Sequence, residues 1–221
     1  MDYLQLNVLN NDVEKGEMMK LKHIYDPGEN VNKPVFLLLH GTGGTEEDLL
    51  PLAEKMDPQA GVLSVRGNVL ENGMPRFFKR LSEGVFDEED LIKRTEELNE
   101  FLDGASNEYG FDRNHVIAIG YSNGANIAAS LLFHYQDALH GAVLHHPMVP
   151  RRNIQLPDLT GKQVFIGAGL SDPLCPVEES EALEQLLTEA GATVTTKWLQ
   201  QGHQLTMDEL HASHLWYEQL N

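Results

Sequence analysis

Six short apolar segments rich in β-forming residues alternate along the chain with longer segments of helical periodicity. The six segments are residues 34–40, 61–65, 115–120, 141–145, 162–168 and 193–199. These segments are mostly apolar, as strands that are covered on both faces should be, so we expect six buried parallel strands. The alternation predicts an α/β fold with a mostly parallel central sheet flanked by helices.

Most of the intervals between these strands show helical periodicity. The predicted helices are residues 46–56, 87–108, 123–133, 177–190 and 206–220. In the longest of them, Leu91, Leu98 and Leu102 form one apolar stripe flanked by charge, as in an amphipathic helix that covers a core. Before the first parallel strand, residues 3–9 and 18–25 alternate around a polar turn at 10–16, which predicts an antiparallel hairpin.

Length and charge narrow the classes of protein and partner. The 221 residues have no long linker-like stretch, so we expect one domain over residues 1–221. The formal net charge of −18 opposes nucleic acid and anionic lipid as partners, because both require clusters of Lys and Arg. The longest aliphatic and aromatic run, residues 35–39, is too short for a membrane span. Cys175 is the sole cysteine, which fits a cytoplasmic protein without disulfides.

A nucleophile motif follows the third predicted parallel strand. Gly120-Tyr121-Ser122-Asn123-Gly124 matches G-x-S-x-G at a strand-to-helix junction. A sharp turn of this kind exposes the serine hydroxyl at the start of the helix and requires small residues two positions to either side. Ser122 is therefore the candidate nucleophile, against the alternative that it only caps a helix.

The candidate oxyanion hole combines two backbone amides. One is the amide of the residue after the nucleophile, Asn123, and the other comes from the loop after an earlier strand. That strand ends in Leu39-His40-Gly41-Thr42-Gly43-Gly44, where the glycines allow the backbone to approach a substrate closely. We therefore expect the amides of Thr42 and Asn123 to hold the oxyanion.

Two further candidate catalytic residues follow later strands in the order that the motif requires. Asp172 lies in Gly169-Leu170-Ser171-Asp172-Pro173 after the strand at 162–168, and His203 follows the strand at 193–199. The carboxyl ends of parallel strands meet at one edge of the sheet, so both residues should lie near Ser122. We expect His203 to act as base and Asp172 to orient it.

Together these segments resemble the phospholipase/carboxylesterase family of small α/β-hydrolases. The resemblance extends from about Lys20 to the C-terminus. It rests on the glycine-rich loop after Leu39, on Arg66-Gly67-Asn68, on the Ser122 motif, on Asp172-Pro173 and on Gly202-His203. It implies an α/β-hydrolase fold and an esterase that uses no cofactor. The glutamine that often follows the serine in this family is Asn123 here, which leaves the amide assignment unchanged.

Other residues suggest a metal site and the wall of a substrate pocket. His145 with His146, and His211 with His214, invite a metal site, but adjacent strand residues face opposite sides and no H-E-x-x-H motif is present. We therefore expect no metal. Residues 67–86 form a long irregular segment, and Phe77 or Phe78 within it is our candidate for the wall of the substrate pocket, against the alternative that both cover the core.

The function that fits these residues best is hydrolysis of small-molecule carboxylic esters through an acyl-enzyme. Thioesters and lysophospholipids are alternative substrates, and a non-catalytic receptor is a further alternative that usually lacks one triad residue. The segment between the fourth and fifth parallel strands, residues 147–161, contains three prolines and is too short for a large cap domain. We therefore expect small soluble esters as substrates. A homodimer is compatible with the sequence.

Overall fold

The computed structural model describes residues 21–220. The predicted strand at 3–9, its turn at 10–16 and the start of the strand at 18–25 lie outside the described residues. In the described part the strands are β1 (His23–Asp26), β2 (Val35–Leu39), β3 (Gly61–Val65), β4 (Val69–Glu71), β5 (Met74–Arg76), β6 (Arg80–Ser82), β7 (Val85–Phe86), β8 (Val116–Tyr121), β9 (Gly141–His145), β10 (Gln163–Gly169) and β11 (Thr193–Leu199). The helices are α1 (Leu50–Met56), α2 (Glu88–Tyr109), α3 (Asn123–His134), α4 (Val177–Glu189) and α5 (Met207–Glu218).

In the part of the chain that the structure describes, seven strands form the central sheet in the order β1-β3-β2-β8-β9-β10-β11. β1 runs antiparallel to β3, and the other six strands are parallel to one another. The mostly parallel α/β sheet flanked by helices is thus confirmed. Its carboxyl edge carries the ends of β2, β3, β8, β10 and β11, and each of these strands is followed by one of the sequence motifs described above.

Alternate residues of the strands supply two cores, one on each face of the sheet. On β2, Leu37 and Leu39 pack into a large cluster with residues of α2, α3 and α4. Phe36 and Leu38 point to the opposite face, where they pack with residues of α1 and α5. This two-residue alternation within an apolar strand is what burial on both faces requires.

Strand β11 departs from the expected burial. It lies at the edge of the sheet, where β10 is its partner in the described residues. Thr193, Thr195 and Lys197 are exposed, while the residues between them are partly buried. The expectation that residues 193–199 are buried on both faces was therefore wrong, because alternating Thr and Lys residues mark an edge strand with one solvated face.

Residues 67–86 are more regular than we expected from the sequence. They form two antiparallel ribbons, β4 with β5 and β6 with β7. The first ribbon turns at Asn72 and Gly73, whose φ angles are 51° and 81°. Two consecutive positive φ angles are typical of a tight hairpin turn, and Asn-Gly is the dipeptide that best adopts them. The Asn72-Gly73 pair was therefore a hairpin signal that the sequence interpretation missed.

Within residues 21–220, no large cap domain covers the carboxyl edge of the sheet. Between β9 and β10, residues 146–162 carry neither helix nor strand in the described chain. Of the described helices, none has the length and apolar character needed to cross a membrane.

Candidate active site

Ser122 occupies a strained position between β8 and α3. Its φ of 53° and ψ of −113° lie in a region that non-glycine residues rarely adopt. The turn is held by two backbone hydrogen bonds, from Ser122 N to His145 O at 2.9 Å and from Asn126 N to Ser122 O at 3.0 Å. The sharp strand-to-helix turn that the motif predicts is therefore present in the structure.

Gly120 and Gly124 are required by the close packing of this turn. A Cβ atom on Gly120 would lie 2.6 Å from Gly124 O and 2.7 Å from Ala125 Cα. A Cβ atom on Gly124 would overlap the carbonyl group of Leu39 at the end of β2. Backbone atoms cannot move aside as a flexible side chain can, so only glycine fits at these two positions.

We expect Gly124→Ala to destabilise the protein by more than about 3 kcal/mol, because its Cβ would force β2 and α3 apart. Gly73→Ala is the control for an added Cβ without a clash, since its φ of 81° is unfavourable for alanine but no atom lies within 4 Å of the added Cβ. The control should cost only ~1–2 kcal/mol. Urea unfolding measures both variants, and equal losses would contradict the steric argument.

The side chains of Ser122, His203 and Asp172 form one hydrogen-bonded chain. Ser122 Oγ lies 2.9 Å from His203 Nε2, and His203 Nδ1 lies 2.8 Å from Asp172 Oδ2. Tyr121 Oη donates to the carbonyl oxygen of His203 at 2.8 Å and so holds the loop after β11. The structure thus brings the three predicted residues together at the carboxyl edge of the sheet.

Asp172 is buried and both of its carboxylate oxygens accept hydrogen bonds. Oδ1 accepts from the amides of Leu174 and Cys175 at 2.8 and 3.0 Å. Oδ2 accepts from His203 and also from His146 Nδ1 at 2.7 Å. Burial raises the pKa of Asp172, but the hydrogen bond from His203 and the other three outweigh this effect and lower it. Asp172 is therefore an acceptor in its ionised form.

The two predicted oxyanion residues line the same cavity as Ser122. Asn123 is the first residue of α3, so its amide is one of the free amides at a helix N-terminus. Thr42 is held by Arg76, whose Nη1 donates to Thr42 Oγ1 at 2.6 Å. The amide of Gly43 donates to Pro75 O at 2.9 Å, so the first ribbon positions the Thr42 loop.

His40 fixes the other side of the Thr42 loop. Its Nδ1 donates to Gly41 O at 2.6 Å, and its Nε2 accepts from the amide of Gly67 at 3.0 Å. These two contacts define a neutral imidazole, and burial lowers the pKa of His40 accordingly. His40 therefore shapes the loop without adding charge to the site.

The cavity above Ser122 has a volume of about 340 Å³. The apolar part of its lining consists of Phe86, Met148 and Leu174, and the charged part consists of Arg76, Arg80 and Glu83. The cavity is also lined by Thr42, Tyr121, Asn123 and His203. The sequence interpretation missed Phe86, Met148 and Leu174 because they come from three separate segments that only the fold brings together.

Phe77 and Phe78 do not lie in the cavity wall, and this corrects our expectation. Phe77 is 3% exposed, Phe78 is fully buried, and both belong to the large core cluster. The amide of Phe77 donates to Asn123 Oδ1 at 2.7 Å, so its backbone holds the Asn123 side chain while its ring packs inside. The alternative that both residues cover the core is the one that the structure shows.

A buried polar network behind Asp172 was also missed. His145 Nδ1 lies 2.5 Å from Glu209 Oε1, and His146 Nε2 lies 3.1 Å from Glu209 Oε2. The two adjacent histidines converge on one carboxylate because β9 ends at His145 and His146 has a φ of 53°. The expectation that they face opposite sides holds only within a strand. A signal for this geometry was not visible in the sequence, since Glu209 lies on α5.

One group of side chains in residues 21–220 has ligand atoms close enough to hold a metal ion. It consists of His146, Asp172 and His203, whose candidate atoms all lie within 4.8 Å of one another. Hydrogen bonds of 2.7 and 2.8 Å from the two Nδ1 atoms to Asp172 Oδ2 already account for this proximity. Protons between the two histidine Nδ1 atoms and Asp172 Oδ2 therefore explain why these three side chains lie so close together.

Comparisons with known proteins agree with the fold and with the family that the sequence resembles. The Phospholipase/Carboxylesterase family model matches residues 20–216. MhqD of Bacillus subtilis (strain 168), which is named as a hydrolase, is 61% identical over 199 residues, covering 90% of this chain and 98% of MhqD.

Solved structures are similar over the same length. The crystal structure of the Bacillus cereus carboxylesterase superposes with a TM-score of 0.91 at 66% identity, covering 91% of this chain and 95% of that one. A structure of YahD with malic acid has a TM-score of 0.86 at 29% identity, covering 91% of this chain and all of that one. The chain therefore has the α/β-hydrolase fold and belongs to the phospholipase/carboxylesterase family, whose members hydrolyse carboxylic esters.

Proposed function

We propose that the protein is a serine carboxylesterase in which Ser122 is the nucleophile, His203 the general base and Asp172 the residue that orients the base. The observation that carries this proposal is the continuous hydrogen-bond chain from Ser122 Oγ through His203 to Asp172. It begins at a serine held in a strained turn next to a cavity, which is the arrangement that acyl transfer requires.

The mechanism follows from these contacts. His203 Nε2 takes the hydroxyl proton of Ser122 as Oγ attacks the ester carbonyl, and the imidazolium that forms is stabilised by Asp172. The amides of Thr42 and Asn123 hold the oxyanion of the tetrahedral intermediate. His203 then protonates the departing alcohol, and water repeats the sequence on the acyl-enzyme. Every step uses residues of this chain, so the mechanism requires no cofactor.

The size of the cavity supports small substrates. A volume of about 340 Å³ is near the lower end of the range for small-molecule sites, and no large cap domain extends the apolar surface above it. The YahD structure with malic acid gives a related fold together with a small carboxylic acid. We therefore propose soluble esters with short acyl chains as the substrate class.

For a series of p-nitrophenyl esters, we expect kcat/KM to be highest with acyl chains of about two to eight carbons. Each methylene that finds a contact adds at most ~0.8 kcal/mol, and the gain should stop where the cavity wall ends. We also expect no increase in rate above the solubility limit of the ester. If palmitoyl esters were the best substrates, or if micelles activated the enzyme, the ribbons of residues 67–86 would become the candidate lid.

The leaving group is tested with matched acyl chains. Butanoyl and hexanoyl groups, each presented as an oxygen ester and as a thioester, differ only in the atom that departs. We expect the oxygen esters to give the higher kcat/KM relative to their uncatalysed hydrolysis. A preference for the thioesters would assign thioesterase activity to the same residues, and the absence of hydrolysis with both would favour a receptor.

A further inference from the structure

Two imidazole rings share one oxygen of Asp172. His203 Nδ1 lies 2.8 Å from Asp172 Oδ2, and His146 Nδ1 lies 2.7 Å from the same oxygen. The proposed mechanism uses only His203. His146 is fully buried and has a positive φ of 53°, which is unfavourable for a histidine unless the surrounding structure holds it there.

The other ring nitrogen of His146 faces a second buried carboxylate. Glu209 Oε2 lies 3.1 Å from His146 Nε2 and also accepts from Gln201 Nε2 at 2.5 Å, while Oε1 lies 2.5 Å from His145 Nδ1. A carboxylate with a hydrogen bond to each of its oxygens from groups other than His146 is ionised. Burial raises the pKa of Glu209, but the hydrogen bonds from His145 and His146 bring it down to about 2.

Space for this carboxylate is built into the sheet. A Cβ atom on Gly167 of β10 would overlap Glu209 Oε1, so glycine is needed at this position. Glu209 itself is fully buried, and it lies in the first turn of α5, after the capping residue Thr206. A buried carboxylate needs a compensating cation, because an unpaired buried charge is strongly unfavourable.

His146 supplies that cation. Each of its ring nitrogens faces an ionised carboxylate, so each must carry a proton, and the ring is an imidazolium. Burial lowers the pKa of His146, but the hydrogen bonds and charges of Glu209 and Asp172 outweigh burial and raise it.

We propose that His146 is a positioning residue of the esterase, a buried imidazolium that holds Asp172 from behind and opposes protonation of His203. This inference rests on the proposed function of Ser122, Asp172 and His203. While His146 is charged, a proton on His203 places two cations on one carboxylate oxygen. The enzyme therefore stays active to a lower pH than a triad without His146 would allow.

The groups around His146 come from every neighbouring element. They are Asp172 and Cys175 after β10, Glu209 on α5, Gln201 and His203 after β11, Tyr121 on β8 and His145 on β9. Of these, Asp172 and Glu209 are the two carboxylates that contact the ring. The carboxylates of Asp172 and Glu209 and the imidazolium of His146 together carry a net charge of −1, and His203 interacts with this net charge.

The expected size of the effect follows from the distance between the rings. Their centroids are 5.1 Å apart, and two unit charges at that distance repel by an amount equal to about two pH units at an effective dielectric constant of ~20. The opposite charge of Glu209 offsets part of this repulsion. We therefore expect a net effect of about one pH unit.

The test is the pH dependence of kcat/KM in His146→Asn and Glu209→Gln. Asparagine tolerates a positive φ, and its amide can still donate to Asp172, so the first variant removes the charge but keeps that contact. Glu209→Gln removes the carboxylate that keeps His146 charged. We expect the acid limb to move up by about one pH unit in each variant, with the plateau at high pH retained within about tenfold. The double variant should move no further than His146→Asn alone.

His140→Asn is the matched control, because His140 is exposed and precedes β9 at the opposite edge of the sheet. Its acid limb should coincide with that of the unaltered protein. If the limb of folded His146→Asn also stays in place while kcat falls at every pH, His146 serves packing alone and the proposal is wrong.

A spectroscopic measurement separates this inference from the proposed function. In the ¹⁵N spectrum of the histidine-labelled protein at pH 8, the signals of His146 are those that disappear in His146→Asn. We expect these signals to show that both ring nitrogens are protonated. A neutral ring would overturn the inference whatever the enzyme hydrolyses. Conversely, an imidazolium in a protein that cleaves no ester would show that the proposed function failed, and with it the role of His146 as a positioning residue of an esterase.

Discussion

Ser122→Ala is expected to abolish labelling by a fluorophosphonate probe and to lower kcat for ester hydrolysis by a factor on the order of 10⁴ or more. The hydroxyl of Ser122 is the group that would form the covalent bond to both the probe and the substrate, and alanine has no atom to replace it. Alanine also retains the Cβ that the turn accommodates, so the fold should persist. Mass spectrometry of the intact protein measures the labelling directly.

Ser106→Ala is the matched control for this result. Ser106 lies near the end of α2, where its Oγ donates to Phe111 O at 2.8 Å, ahead of β8, which ends at Tyr121. This variant should label and hydrolyse esters as the unaltered protein does. Labelling that survives in Ser122→Ala, with the adduct found on another residue, would show that the nucleophile lies elsewhere.

The parallel strands were predictable because their burial is local in sequence. Residues 61–65 and 141–145 are mostly apolar and appear as β3 and β9 with the same bounds. The start of α1 was not predictable in the same way. Residues 46–49 carry acidic and apolar residues that suit a helix, yet the helix begins at Leu50 with Pro51 in its first turn. Proline is favourable at that position, so the turn before it belongs to the loop.

The contact of Ser122, Asp172 and His203 was predictable from topology, because each residue follows a parallel strand and all such strands end at one edge. The contacts of Glu209 were not. It lies 63 residues from His146 in sequence, and a glutamate in the first turn of an amphipathic helix usually faces solvent. Its burial depends on Gly167 and on the positive φ of His146, which sequence periodicity does not reveal.

Phe77 and Phe78 were predicted to line the substrate pocket, but both belong to the core. Aromatic residues in a long segment suggested a pocket wall, but the ribbons turn both rings inward, and Phe86, Met148 and Leu174 line the cavity instead. Burial of two adjacent rings supplies more stabilisation than their exposure at a small cavity could, since each fully buried ring contributes about 1.5–3 kcal/mol. The wall is therefore left to residues at the rims of separate loops.

Asp172→Asn should lower kcat by a factor on the order of 10² to 10⁴ while the protein remains folded. The amide oxygen can still accept from the amides of Leu174 and Cys175, which hold Oδ1 at 2.8 and 3.0 Å. The NH₂ group then replaces Oδ2 and faces the Nδ1 atoms of His203 and His146, which are donors in the unaltered protein. His203 must adopt the tautomer with its proton on Nε2, and that nitrogen can no longer accept the proton of Ser122.

The matched control is Asp158→Asn, in an exposed turn where the carboxylate accepts from Thr160. It should leave kcat unchanged.

The pH profile adds a second criterion, because the pKa of Asp172 lies below the usual range and the residue is ionised throughout a neutral assay. Raising the pH should therefore not restore activity to Asp172→Asn, since the defect is the position of a proton on His203 and not its presence. Turnover within a few-fold of normal in this variant, with an unchanged melting temperature, would mean that a different carboxylate orients the base, and Glu209 acting through His146 would be the group to test next.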